Sequence, residues 1–252
     1  MDLALAGKRA VVTGASRGIG HAIAAGLAAE GVRVALVART ATDVDAAATK
    51  LRETGADALA LVGDMTAPAD AERVVNEAAA QFGGLDILVN NVGGGKRGLD
   101  DEAWQYTLDV NLLASVRASR AAQPHMLAAG GGVILIISSV SGWQVGGASA
   151  YNAAKAAEIM FARSLAAEWG GDTIRVNAVS PGSILFPGGG WERRQERDPE
   201  VIADFISRDM PLGRFGTPEE VANVCVFLCS PLASLVTGAN IAVDGCQLRP
   251  SV

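Results

Sequence analysis

The chain is poor in the residues that build covalent or metal scaffolds. Three cysteines (Cys225, Cys229, Cys246) and two histidines (His21, His125) are spread over 252 residues. An odd cysteine count with no Cys-x-x-Cys spacing argues against a disulfide framework. Histidines remote from the cysteines argue against a structural zinc site, so no metal is expected. Cys225 and Cys229 stand four apart in the apolar run 224–229, which reads as a buried helix face. Basic residues do not dominate either: 21 Lys and Arg stand against 27 Asp and Glu, a formal charge of −6. Without a stripe of cations to neutralise phosphates, no nucleic-acid partner is expected. Long hydrophobic runs are lacking. The strongest, 133–137, is too short to cross a membrane. The first seven residues have neither the basic start nor the apolar core of a signal peptide. The expectation is a reduced, soluble, cytoplasmic protein with no membrane partner.

What the chain has is apolar residues, half of the total, and glycine, 30 residues clustered at a few points without a period. That excludes collagen-like and low-complexity readings. Short apolar runs at 9–13, 32–37, 58–62, 87–90, 133–137, 175–179 and 240–243 alternate with Ala-rich, helix-like stretches. The latter fall near 18–30, 42–54, 68–81, 102–128, 149–169 and 217–229. Continuous apolar strands are buried on both faces, and helices between them imply crossovers in a parallel sheet. No linker divides the chain, so a single domain over 1–252 is expected. One excursion, 183–214, breaks the rhythm and reads as a lid or binding loop.

The first strand runs into Thr13-Gly14-Ala15-Ser16-Arg17-Gly18-Ile19-Gly20, followed by a helix. Glycines let backbone approach a ligand, and the helix N-terminus offers free N–H groups to a phosphate. The spacing GxxxGxG is a variant of the dinucleotide turn. The same residues fit the G-x-S-x-G elbow of a serine hydrolase, with Ser16 as nucleophile. Against that, no earlier strand exists to supply a second oxyanion donor, and the remaining histidine, His125, sits in a helical stretch.

Tyr151 and Lys155 lie four apart near a helix start, on one face. An ammonium beside a phenol favours the phenolate, and a phenol tuned toward neutral pH is a usable general acid or base. On an arbitrary helix the pair is ordinary surface. Here it follows a strand ending in Ser138, Ser139 and Ser141, whose hydroxyls stand where open α/β sheets bind ligands.

These motifs together resemble the short-chain dehydrogenases/reductases over nearly the whole chain, closest in pattern to 3-oxoacyl-carrier-protein reductases. The glycine turn, Asn90-Asn91-Val92-Gly93, Asn111, Ser139 with the YxxxK of Tyr151 and Lys155, Pro181-Gly182, and Thr237-Gly238 with Val243-Asp244-Gly245 occur in the family's order. The resemblance implies a three-layer α/β, Rossmann-like, doubly wound sheet of seven mainly parallel strands, order 3-2-1-4-5-6-7. It implies hydride transfer between nicotinamide and a carbonyl or secondary alcohol. Tyr151 would be the general acid or base, and Ser139 would hydrogen-bond the reacting oxygen. Lys155 would hold the nicotinamide ribose, and Asn111 would help hold a relay water. Adjacent strand residues point to opposite faces. The Ser-x-x-Gly pattern of 139–142 selects Ser139, although Ser138 stands at another common spacing from the tyrosine.

By the same resemblance the cofactor contacts are Gly14, Ser16, Arg17, Gly18, Ile19, Gly20, Arg39, Asp64, Met65, Asn91, Gly93, Tyr151, Lys155, Pro181, Gly182 and Ile184. The second strand ends in Ala38-Arg39 where an NAD enzyme carries an acid. Arg39 and Arg17 therefore favour NADP(H), with NAD(H) an open alternative. Two departures stand out: Phe186 replaces a threonine common in the family, and Cys246 replaces the second glycine of Asp-Gly-Gly. Ser139, Trp143, Val145, Phe186 and Trp191 suggest an apolar-walled substrate site under the lid. Residues 192–197 read as the lid's solvated face. The implied partners are a small carbonyl or alcohol substrate and further copies of the chain, as homotetramer or homodimer. A non-catalytic nucleotide-binding member of the fold is the other reading.

Overall fold

The computed structural model describes residues 2–143 and 149–248. Seven strands form one sheet: β1 (Arg9–Thr13), β2 (Arg33–Ala38), β3 (Ala58–Val62), β4 (Ile87–Asn90), β5 (Gly132–Ile137), β6 (Ile174–Pro181) and β7 (Asn240–Val243). Their order is β3-β2-β1-β4-β5-β6-β7, and every pairing is parallel. The apolar runs are strands because both faces are covered: all four residues of β4 are buried, as are the last five of β5.

One face carries α1 (Gly18–Ala29), α2 (Ala41–Glu53) and α9 (Pro218–Cys229), which share a core through Ile23, Leu27, Val44, Val221 and Cys225. The other carries α3 (Pro68–Phe82), α5 (Ala114–Ala128) and α6 (Ala150–Trp169), joined through Val74, Val75, Ala118, Met126 and Leu165. Cys225 and Cys229 are buried free thiols, as the apolar-face reading expects. Burial pushes Cys225 well up and Cys229 to about 12, so neither is a ready thiolate. Among the described residues no helix is long and apolar enough to cross a membrane, and no cluster of possible metal ligands occurs.

The stretch 102–128 is not one helix. It divides into α4 (Asp101–Leu108), a π turn (Asp109–Leu113) and α5. The cause is local side-chain chemistry. Asn111 Nδ2 donates to the Thr107 carbonyl at 2.6 Å, and Ser115 Oγ donates to the Asn111 carbonyl at 3.0 Å. Polar groups inserted into the ladder widen a helix turn, often at functional sites.

The excursion 183–214 contains α7 (Gly190–Arg197) and α8 (Pro199–Asp209). They are organised by a small cluster in which Trp191 stacks on Phe205 with ring centres 4.9 Å apart and lies 5.1 Å from Phe215. Strand β1 lies between β2 and β4, where the direction of strand order reverses. That switch point opens a crevice at the carboxyl ends of the strands.

Candidate active site

The crevice is a cleft of about 560 Å³, within the usual range for small-molecule sites. Its floor is the turn from β1 into α1. Gly18 has φ +57, the left-handed region that glycine tolerates, and the Phe186 ring lies directly against it. Helix α1 begins with no side-chain cap and no acidic residue in its first turn, so its N–H groups remain available to an anion. Asn91 braces the turn: its Nδ2 donates to the carbonyls of Thr13 at 3.0 Å and Gly14 at 3.1 Å.

At one end of the cleft stand Arg17, Arg39 and Asp64, with Gly14, Ser16, Ile19 and Gly20 along the turn. Both arginines are exposed at the rim. Asp64 Oδ1 accepts from Thr66 N and Oγ1 at 2.9 and 2.8 Å, which fixes the carboxylate beside Met65. Thr40 and Asp43 also line this end. Sequence reasoning missed both, although their place just after Arg39 was a signal.

At the other end Ser138, Ser139, Tyr151 and Lys155 converge, with Pro181, Gly182 and Ile184 opposite. Lys155 Nζ donates to the Ile137 carbonyl at 2.9 Å and lies 5.7 Å from the centre of the Tyr151 ring. Gly93 lies between Asn111 and Lys155: a β-carbon there would stand 3.1 Å from Asn111 Oδ1 and 3.2 Å from Lys155 Nζ. The two serines differ. Ser138 is buried, and its hydroxyl donates to the Lys155 carbonyl at 2.8 Å, a tie between β5 and α6. Ser139 is half-buried on the cleft wall, and its Oγ accepts from Ser141 N, leaving its proton free. The Ser-x-x-Gly pattern has a steric cause. A β-carbon on Gly142 would stand 2.8 Å from the Lys155 carbonyl carbon, so only glycine lets this turn rest on α6.

A second buried charge accompanies Lys155. Glu158 Oε2 lies 2.9 Å from Lys155 Nζ, and the two side chains are 1% and 4% exposed. Sequence reasoning missed Glu158. The available signal was a carboxylate on the buried stripe of α6, between Ala154 and Ala162.

The hydrolase arrangement is not assembled. Ser16 lines the cleft, but no histidine does among the described residues. His125 Nε2 pairs with Asn76 Oδ1 at 2.7 Å on another face.

A family model described as enoyl-(acyl carrier protein) reductase matches residues 14–246. The chain belongs to the short-chain dehydrogenases/reductases. This family transfers a hydride between a nicotinamide cofactor and a carbonyl or alcohol carbon. The dehydrogenase/reductase is 41% identical to the galactitol 2-dehydrogenase of Rhizobium johnstonii over 249 residues, 95% of each chain. Its fold is similar to L-sorbose reductase from Gluconobacter frateurii, solved with NADPH and L-sorbose (TM-score 0.94, 38% identity, all of both chains). It is also similar to 7α-hydroxysteroid dehydrogenase, solved with NADH and 7-oxo glycochenodeoxycholic acid (TM-score 0.91, 31% identity, 99% of this chain and 97% of that one).

The residues present fit a dinucleotide: a glycine turn, an uncapped helix start, and two rim arginines on one continuous cleft. Of the residues expected on the substrate side, Ser139, Phe186 and Trp191 line the cleft. Trp143 is exposed and does not line the cleft, and Val145 lies outside the described residues. Phe186 rests on the cofactor turn, and Trp191 anchors the aromatic cluster of the excursion while one side lines the cleft. Beyond Tyr151 an outer cleft is lined by Lys96, Arg97, Ser149, Asn152 and Arg194. The stretch 192–197 therefore does more than face solvent: Arg194 packs over the Trp191 ring at 5.0 Å and borders the approach to Tyr151.

Proposed function

We propose that the enzyme is an NADP(H)-dependent reductase of a polar carbonyl compound, working in reverse on the secondary alcohol. The bound nicotinamide supplies or accepts the hydride. Tyr151 protonates the carbonyl oxygen, and Ser139 donates a hydrogen bond to the same oxygen, where negative charge develops. Lys155 holds the nicotinamide ribose and its ammonium favours the phenolate. Asn111 helps hold a water that carries protons from Lys155 toward solvent. The observation that carries the reading is the convergence of Ser139, Tyr151 and Lys155 on the cleft that also contains the glycine turn.

The preference for NADP(H) rests on Arg39 and Arg17 at the rim, with no acid at the end of β2. The NADPH bound by the similar L-sorbose reductase supports it. The basic outer cleft supports substrates with hydroxyl or anionic groups remote from the carbonyl. The segment 183–214 acts as a lid on a single-domain enzyme, pinned by Trp191. Assembly as a homotetramer or homodimer through α5 and α6 has the support of large apolar side chains left in solvent there: Met160 is 61% and Leu127 45% exposed.

The test is a screen of ketoses, cyclic ketones, oxo acids and 3-oxoacyl thioesters with NADPH and NADH, followed by nicotinamide absorbance. Turnover should appear with a polar carbonyl and favour NADPH. Tyr151→Phe should lower it about 10²–10⁴-fold, the contribution of a general acid. A Tyr151→Phe protein as active as the wild type would refute the mechanism.

A further inference from the structure

The ammonium of Lys155 is buried, yet while Tyr151 holds its proton the hydride-transfer chemistry gives it no negative partner. The fold does. Glu158, one turn further along α6, puts Oε2 2.9 Å from Lys155 Nζ, and both residues are buried. Ion pairs this deeply buried are costly unless well matched, and removing one member leaves an uncompensated charge. The surroundings offer the pair only neutral groups. Strand β5 contributes the Ile137 carbonyl, which accepts from Nζ at 2.9 Å. It also contributes the Ser138 hydroxyl, which is bonded to the Lys155 carbonyl and abuts the Glu158 carboxylate. The π turn contributes the Asn111 amide, whose own nitrogen is committed to Gly94 and Thr107. The ionisable groups that act on Lys155 are Glu158 and Tyr151, and the one that acts on Glu158 is Lys155.

We infer that Glu158 is the buried counter-ion of the Tyr151–Lys155 pair, a positioning residue that makes the pair hold its proton to higher pH and keeps Tyr151 in the proton-donating form that carbonyl reduction uses. The electrostatics have one sign whichever group of the pair loses the proton. An anionic Glu158 opposes a second negative charge on Tyr151 and favours the positive charge on Lys155, so both routes of proton loss become harder. Burial alone works to lower Lys155. The Glu158 carboxylate and Tyr151 more than offset it, and the ammonium ends above the ordinary lysine range. Burial raises Glu158, and the ammonium and Ser138 offset that only in part, so its carboxyl ends above the ordinary glutamate range. This inference rests on the catalytic reading of Tyr151 and Lys155. It is tested in the protein without cofactor, so its failure is separable from a failure of that reading.

The chain has two tyrosines, Tyr106 and Tyr151. In a Tyr106→Phe background, phenolate absorbance therefore reports Tyr151 alone. Titrating this protein with base, and again with Glu158→Gln added, should move the midpoint of phenolate formation about 1–3 units to lower pH, the effect of an ammonium beside the phenol that is no longer neutralised by its partner. Glu158→Leu should do the same, and Glu158→Asp should retain the parent midpoint. The alkaline limb of the alcohol-oxidation rate should shift in the same direction in otherwise wild-type enzyme. A midpoint that stays in place or moves upward in a folded neutral variant overturns the inference. So does loss of fold in both neutral variants with Glu158→Asp intact, which would assign Glu158 a purely structural role.

Discussion

The Phe186 ring rests on Gly18 so closely that a β-carbon on the glycine would stand 2.8 Å from Cε2. The cofactor turn therefore has a ceiling made by the start of the 183–214 segment. Two penalties meet at Gly18, the ring contact and the left-handed φ, which alone costs an L-residue about 1–2 kcal/mol. Gly18→Ala should weaken cofactor binding roughly tenfold or more, by fluorescence titration. Phe186→Ala keeps the backbone of the turn and should weaken it far less. Equal losses would show that the ring, and not the turn, holds the cofactor.

Cofactor choice is the second test. Arg39→Asp removes a cation from the rim and adds a charge that repels a 2′-phosphate. NADPH affinity should fall by about 1–3 kcal/mol, the scale of charge-assisted hydrogen bonds, while NADH affinity changes little. Asp43 lines the same end of the cleft. Its replacement by Asn should shift preference further toward NADPH. Titration of both cofactors decides it: tighter NADH binding to the wild type would contradict the proposal.

The adjacent serines should separate by readout. Ser139→Ala removes a donor aimed at the reacting oxygen, so turnover should fall strongly with cofactor affinity nearly intact. Ser138→Ala breaks the 2.8 Å bond to the Lys155 carbonyl. It should cost about 0.5–1.5 kcal/mol of stability, visible in urea denaturation, with a smaller effect on turnover. The reverse pattern would make Ser138 the catalytic serine.

Much of this was legible from sequence because the signals are local. A strand run into a glycine turn, a helical Tyr-x-x-x-Lys and continuous apolar strands each name their own geometry, and the sheet order follows from the family motifs. What was not legible depends on contacts distant in the chain or on breaks in a smooth pattern. The π turn is hidden because 102–128 reads as a continuous helical stretch, and only the bonds of Asn111 and Ser115 show the interruption. Helix α7 has no buried residue and so carries no apolar stripe. Of the residues expected to wall the substrate, Ser139, Phe186 and Trp191 line the cleft and Trp143 does not, because apolar character does not say which partner a ring finds. Trp191 found Phe205, and Trp143 is exposed. Cys246 takes φ +64, a glycine-like conformation, which explains in backbone terms why glycine is usual there.

The last prediction concerns the end of the sheet away from the cleft. Asp86 precedes β4 and takes Arg9 Nε at 2.6 Å, Arg9 Nη2 at 3.1 Å and the Arg9 backbone N–H at 2.9 Å, tying β1 to β4. Burial works to raise its carboxyl. The Arg9 hydrogen bonds and the charges of Arg9 and Lys8 overcome that and hold it below the ordinary aspartate range. The side chain is 11% exposed, so the bonds are little screened. Asp86→Asn should destabilise the fold by about 1.5–3 kcal/mol at neutral pH, the usual value of bonds to a charged group. Because the folded value is depressed, this stabilisation is fully present above the unfolded aspartate value of about 3.9. It is lost as the pH falls through the lower folded value. Urea denaturation of both proteins should therefore show a constant gap from neutral pH down to about pH 5 and a narrowing gap below about pH 4. A gap that widens on acidification would mean that Asp86 binds its proton more tightly in the folded state, contrary to the arrangement of Arg9 around it.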